Sequence, residues 1–273
     1  MMDDLFSAVV FISAILIVVF VVILSSKQRK KQRIERQRVG LIWLHRLRVF
    51  LSHVQQHRGM TSGYLSGGTG LLKEIKVLGA QVNEDISEIL VVDPWMKANS
   101  RWMSIEEHWH RLSGNFQNVA TEDNLRQHNT LIKNILYLIE DMAQEHELLL
   151  LKTKENNSLH LLWRELLAAG EFIGQARAIG MGVATARHCD SISRIRLNYL
   201  CQKIESNTKL LWSEISPHNN QQQKVENLLR CINDKIIKDV PSIAPSVFFD
   251  TASDALNNLY LQYDQYFKKN ISL

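Results

Sequence analysis

The chain has 273 residues, a formal net charge of +4 and three cysteines. Cys189, Cys201 and Cys231 show no paired spacing, which excludes a disulfide framework or a zinc-finger pattern. The segment that follows the N-terminal apolar stretch carries +6 and two N-terminal aspartates carry −2, so the remainder has no net charge. The basic character is therefore local, and it does not indicate nucleic-acid binding.

The first predicted element is a transmembrane helix over residues 5–24, which are uncharged and almost all apolar. Its length matches the roughly 20 residues that a helix needs to cross the hydrocarbon core of a bilayer. A cleavable signal peptide would begin with basic residues and contain a shorter apolar region, whereas Asp3 and Asp4 precede this one. We therefore predict a retained, single-pass anchor.

A basic juxtamembrane helix is predicted over residues 25–44. Its cations are Lys27, Arg29, Lys30, Lys31, Arg33, Arg36 and Arg38, against the single acid Glu35. Lysine and arginine concentrate on the cytoplasmic side of membrane spans, so we expect an inner-membrane protein whose domain faces the cytoplasm. The same cations suit anionic lipid head groups. No helix breaker precedes Gly40, so the anchor helix should continue into the domain.

Residues 45–270 are predicted to form one helical domain, because apolar residues recur at spacings of three and four almost throughout. Turn residues divide this region into seven or eight helices, with breaks at residues 67–70, around Pro94, and at 156–157, 217–220 and 241–245. Ser104 and Thr251 have the spacing of helix N-terminal caps. Short connections favour up-and-down bundles. The predicted fold is all-α, with two packed four-helix bundles behind a single transmembrane helix.

Two arginines occupy positions on apolar helical seams. The first seam is Leu44, Leu47, Leu51, Val54, Arg58, Thr61 and Leu65, and the second is Trp163, Leu167, Gly170, Gly174, Arg177, Met181 and Ala184. Neither arginine has a carboxylate three or four residues away, and a buried unpaired guanidinium is costly. A pocket for a small oxyanion would satisfy both, with Thr61 and Ser62 as further donors. The alternative is that each arginine pairs with an acid from another helix.

The same two helices carry a resemblance to a known family. The segment from Phe50 to Gly68, FLSHVQQHRGMTSGYLSGG, and the segment from Glu165 to Arg187, ELLAAGEFIGQARAIGMGVATAR, resemble the bacterial nitrate- and nitrite-sensing (NIT) domain family. In the second, Glu171, Gly174, Arg177 and Gly180 match that family's glutamate–glycine–arginine–glycine pattern. The similarity spans about residues 45 to 270. His57 and Ala176 depart from the pattern at the positions before the two arginines.

This resemblance implies an all-helical double bundle that binds nitrate or nitrite, with Arg58 and Arg177 as anion contacts. Arg187 and Arg230 are the candidates for a third contacting arginine. Family members usually carry an output domain, and none is recognisable through Leu273. The signal is therefore expected to leave through the anchor helix, a homodimer or a partner protein.

Other site chemistries have weaker patterns. His53 and His57 have the spacing of two metal ligands on one helix, but no third ligand is identifiable. No catalytic constellation or cofactor motif is recognisable, so we expect neither an enzyme nor a cofactor. The leading hypothesis is a membrane-anchored sensor of a small oxyanion. The alternative is a structural single-pass component of a membrane assembly that has the bundle without the ligand.

Overall fold

The longest element of the computed structural model is its first helix, α1, which runs unbroken from Met2 to Leu65. The structure describes residues 2–67, 69–153, 156–217 and 220–270. Eight further α-helices follow in these ranges: α2 (Leu72–Leu90), α3 (Pro94–Ala98), α4 (Ser100–Asn115), α5 (Thr121–Glu145), α6 (Ala168–Ala186), α7 (Ser191–Glu214), α8 (Gln221–Cys231) and α9 (Pro245–Asn270). No strand occurs among them, and the prediction of an all-α fold is confirmed.

α1 has two parts of different environment. From Phe11 to Leu24 its described apolar side chains are exposed. By length and composition, α1 contains a stretch near its N-terminal end that is long and apolar enough to cross a membrane. Burial begins near Gly40, where a Cβ would lie 2.6 Å from the Cβ of His146, so only glycine allows α5 to approach this closely. The apolar N-terminal segment and the first domain helix form one unbroken helix, as predicted. The helix ends at a turn in which Gly67 has a φ of 109°.

Eight of the nine described α-helices, all except the short α3, pack in two groups of four. In the first group α1 packs on α2 and α5, and α4 packs on α5. In the second group α6 packs on α7 and α9, and α8 packs on α9. The first predicted seam is buried from Leu44 through Thr61, including Arg58. The two groups share one continuous hydrophobic core, and they meet where α1 passes α6.

The described residues of the predicted breaks lie outside the α-helices, except for Pro94 and Pro245, which begin α3 and α9. Residues 68, 218 and 219 of these breaks lie outside the described residues. The two predicted helix starts are wrong. α4 begins five residues earlier than predicted, at Ser100, because the side chain of Asn99 accepts a hydrogen bond from the backbone nitrogen of Trp102. Ser104 therefore lies inside α4 and donates to the carbonyl of Ser100. Thr251 likewise lies inside α9, which begins at Pro245. Serine and threonine often make such bonds within helices, so cap spacing alone did not identify the helix start.

Candidate anion-binding site

The two predicted arginines lie where α1 crosses α6. A Cβ built on Gly174 of α6 would lie 2.5 Å from Nη2 of Arg58, on α1. A Cβ built on Gly59 of α1 would lie 3.7 Å from Nη2 of Arg177, on α6. Each arginine therefore rests on a glycine of the other's helix. The absence of side chains at these glycines lets two cationic groups enter the same helix crossing.

Arg58 is 2% exposed and only partly satisfied. Its Nη1 donates to Oε1 of Glu171 at 2.6 Å and to Oδ1 of Asn129 at 2.7 Å. Its Nη2 is buried and has no hydrogen-bond partner among the residues that the structure describes. A buried unpaired donor costs about 1–3 kcal/mol, and more when it is charged. Arg58 thus has an acid partner on one nitrogen and an unused donor on the other.

Glu171 is the centre of the polar cluster. Its Oε1 also accepts from Nε2 of Gln175, and its Oε2 accepts from Nε2 of Gln55, both at 2.8 Å. The hydroxyl of Tyr260, from α9, donates to Oε1 of Gln55. Three donors from two helices therefore hold this buried carboxyl group in a fixed orientation. The carboxylate in turn fixes Nη1 of Arg58.

Arg177 is half-buried, and no carboxylate lies within 4 Å of its guanidinium among the described residues. Its Nη1 donates to Oγ of Ser253 at 2.8 Å, and its guanidinium carbon lies 4.9 Å from the centroid of the Phe249 ring. Burial, and then the nearby charge of Arg58, lower the pKa of Arg177 below its usual range. The site therefore contains a cation without a neighbouring counter-charge of its own.

The two predicted hydroxyl donors differ in their availability. Oγ1 of Thr61 donates to the carbonyl of His57 at 2.8 Å and accepts from Nδ2 of Asn124 at 3.0 Å. Oγ of Ser62 is buried and has no partner in the described part of the chain. Ser62 is one helical turn beyond Arg58, on the same face of α1. Of the two hydroxyls, that of Ser62 is therefore free to donate to a ligand.

A buried histidine pair lies beside this cluster, between α1 and α5. Nδ1 of His128 lies 2.8 Å from the carbonyl oxygen of Asn124, so it must carry a proton and donate. Its Nε2, 2.9 Å from Nδ1 of His57, is then the acceptor when both rings are neutral. Burial lowers the pKa of His57 to about 4 and that of His128 to about 3. Both rings are therefore neutral at pH 7.

This pair should make the domain unstable in acid. A histidine with an ordinary pKa near 6.5 in the unfolded chain gains a proton there before it does in the folded domain. The free energy of unfolding therefore falls as the pH drops from about 6.5 towards 4, by about 3–4 kcal/mol in total at pH 5. Thermal unfolding should show a melting temperature about 7–15 °C lower at pH 5 than at pH 7. The double variant His57→Gln/His128→Gln should show a smaller drop, and an equal drop would exclude the pair as its source.

Other residues singled out in the sequence lie outside the cluster. Arg187 ends α6 with a φ of 52°, and Arg230 is exposed on α8, where it bonds Asn227. His53 does not join His57, because its Nδ1 lies 2.6 Å from Oδ2 of Asp85.

Several cluster residues were not predicted as site residues, namely Gln55, Asn129, Glu171, Ser253 and Tyr260. The family pattern was the signal for Glu171, and Gln55 lies three residues before Arg58 on α1. Asn129, Ser253 and Tyr260 come from helices distant in the sequence, so local spacing could not identify them.

Comparison with known proteins gives the fold. No family model matches the chain, and no curated protein matches it. Among solved structures it is similar to the NasR transcription antiterminator, with a TM-score of 0.67 and 16% identity over 91% of this chain and 72% of that one. At this identity the similarity establishes a shared helical architecture.

Proposed function

We propose that this protein is a membrane-anchored binding module that senses a small oxyanion, most favourably nitrate or nitrite. The observation that carries the proposal is the helix crossing, where, within the described part of the chain, Nη2 of Arg58 has no hydrogen-bond partner and Arg177 has no carboxylate within 4 Å. Arginine suits a planar oxyanion because its fork of donors can bond two oxygens together. The unused hydroxyl of Ser62 adds a neutral donor on the same side of α1.

The charge of the cluster favours a monovalent ligand. Arg58 and Arg177 supply two positive charges, and the carboxylate of Glu171 neutralises one. One positive charge therefore remains in a largely buried setting, where an isolated charge is costly. A monovalent anion would compensate it, whereas a divalent anion would leave a buried negative charge. Nitrate and nitrite are monovalent, planar and small.

The resemblance of the segments around Arg58 and Arg177 to the nitrate- and nitrite-sensing family supports the same ligands. The NasR transcription antiterminator, which shares the helical architecture, is a regulator of gene expression by its name. The helical architecture therefore occurs in a regulatory protein, and the family resemblance supplies the expectation of sensing. Binding of the anion would be passed on as a signal to a homodimer partner or another protein.

The anchor belongs to the same proposal. The exposed apolar part of α1 would cross the inner membrane, and the basic residues that follow it favour a cytoplasmic domain. The span and the site lie on one unbroken helix, because Arg58 belongs to α1 as well. A displacement of α1 against α6 on anion binding would therefore be transmitted to the membrane.

Thermal unfolding of the full chain in detergent micelles tests anion binding. A ligand that binds only the folded state adds about 2.7 kcal/mol at one hundred times its dissociation constant. Nitrate or nitrite should therefore raise the melting temperature by about 5–10 °C, above chloride at equal ionic strength, which controls for screening. Arg177→Lys keeps the charge and loses the planar fork, so it should lose most of the increase.

Arg187→Lys, an exposed change at the end of the same helix, is the matched control and should respond as the unmodified chain does. The alternative function is a structural component of a membrane assembly, which the Arg58–Glu171 ion pair favours because it already satisfies half of one arginine. Equal melting temperatures in nitrate, nitrite and chloride, with no binding in calorimetry, would establish that alternative.

A further inference from the structure

The basic segment of α1 contains two sets of cations with different surroundings. All seven cationic side chains between residues 27 and 38 are exposed. The three beyond residue 32 are paired with acids of the protein, namely Arg33, Arg36 and Arg38. The four before residue 32, namely Lys27, Arg29, Lys30 and Lys31, have no carboxylate within 4 Å in the described ranges.

Within the far set, which is Arg33, Arg36 and Arg38, the first two bind the segment that follows α5 to α1. Nε of Arg33 lies 2.9 Å from one carboxylate oxygen of Glu147, and Nη2 of Arg36 lies 3.5 Å from the other. Nε2 of Gln37 donates to the backbone carbonyl of Glu147 at 3.1 Å. Glu147 follows α5 with a φ of 54°, a left-handed conformation that is uncommon for residues with a side chain. These contacts fix the end of α5 to α1.

The near set, which is Lys27, Arg29, Lys30 and Lys31, lies at the depth of the membrane surface and is spread around the helix. At 1.5 Å per residue, Lys27 to Lys31 lie about 4–11 Å beyond Leu24, within reach of a head-group layer about 5–7 Å thick. Successive residues are about 100° apart around a helix, so the four cations surround its axis. Arg33 and Arg36 lie about 14–18 Å beyond Leu24, which places them past that layer.

We propose that Lys27, Arg29, Lys30 and Lys31 form a ring that binds the head groups of anionic phospholipids, and that Arg33 and Arg36 take no part. The proposal rests on the proposed membrane span. Charge complementarity selects the occupant, because unpaired cations at this depth face phosphate groups, and anionic head groups carry an uncompensated negative charge. Long lysine and arginine stems let the charged ends reach the head groups from any side of the helix.

Quenching by brominated lipids tests this on the full chain. Ser26→Trp introduces a fluorophore one residue before the ring, and the six native tryptophans are corrected for with the unmodified chain. Vesicles of four parts phosphatidylcholine and one part phosphatidylglycerol carry bromine on one lipid or the other. Per mole of brominated lipid, quenching by phosphatidylglycerol should exceed that by phosphatidylcholine several-fold, and high salt should reduce this preference.

Two sets of charge-removing variants locate the effect. In K27Q/R29Q/K30Q/K31Q the ratio of quenching by phosphatidylglycerol to quenching by phosphatidylcholine should fall to about one. In R33Q/R36Q/R38Q this ratio should be the same as in the parent. Equal quenching by both lipids in the parent overturns the ring, although it still shows insertion. Loss of the preference in the second variant and not in the first overturns the division into two sets. No quenching by either lipid overturns the span, and the ring with it.

Discussion

Gly174→Ala should cut the nitrate-dependent rise in melting temperature by at least about half. The added Cβ would lie 2.5 Å from Nη2 of Arg58, closer than real contacts allow, so the guanidinium must move. The donor that the anion needs then leaves the crossing, although no charge has been removed. Since well-placed bidentate contacts to arginine are strong, we expect the affinity for nitrate to fall at least about tenfold, or 1.4 kcal/mol. Calorimetric titration of the full chain measures it.

Gly182→Ala is the matched control for this substitution. It makes the same change in the same helix, at a glycine whose Cβ would meet nothing within 4 Å. In both variants the higher helix propensity of alanine adds up to about 1 kcal/mol to the free energy of unfolding. In Gly174→Ala, overpacking of the helix crossing subtracts about 1–3 kcal/mol from it. Gly182→Ala should therefore be as stable as the parent or more so, and should bind nitrate normally. Normal binding by Gly174→Ala would place the anion site elsewhere.

The fold was predictable because its determinants are local. Apolar spacings of three and four recur along nearly every helix, and the breaks carry glycine, proline or asparagine. The continuity of α1 from the apolar segment into the domain followed from the absence of a breaker before Gly40. The two false helix starts, at Ser104 and Thr251, show where local reasoning fails. A cap spacing inside an apolar periodic stretch competes with a better cap upstream, as Asn99 does for α4.

The site was predictable only in part. The positions of Arg58 and Arg177 on apolar seams are local facts, and they indicated that each needs a partner. The partner of Arg58 is Glu171, which lies 113 residues away in sequence on another helix. Such a pairing depends on which face of α6 meets α1, and spacing does not specify that. The sequence therefore identified the need for a counter-charge and left open whether an acid or a ligand supplies it.

The structure answers this question differently for the two arginines. Arg58 has an acid from another helix, whereas the contacts of Arg177 among the described residues are with the hydroxyl of Ser253 and the ring of Phe249. The two arginines share one crossing and one carboxylate. An anion placed there would act on both at once, so its binding should depend on Glu171 as well as on the arginines.

Breaking the Arg58–Glu171 pair should be strongly destabilising. Arg58→Met leaves the carboxylate of Glu171 buried without its cation, and Glu171→Met leaves two buried cations side by side. Removal of one partner of a buried ion pair costs about 3–5 kcal/mol, which corresponds to a fall in melting temperature of about 6–20 °C. The double variant Arg58→Met/Glu171→Met should lose less stability than the two single variants lose together. In it, neither member of the pair remains buried without the other. Thermal unfolding followed by circular dichroism gives all three values.

Nitrate should act differently on the two single variants, which separates a binding site from a structural ion pair. In Glu171→Met the crossing keeps both arginines and gains one net positive charge, so an anion can replace the missing carboxylate. Nitrate should then raise the melting temperature of this variant by more than it raises that of the parent. Chloride at equal ionic strength should raise it little. In Arg58→Met the same anion would meet an unpaired carboxylate and a single arginine, so nitrate should recover nothing. Equal recovery in both variants would show that the ions act through screening, and the pair would then be a structural feature of a bundle without a ligand.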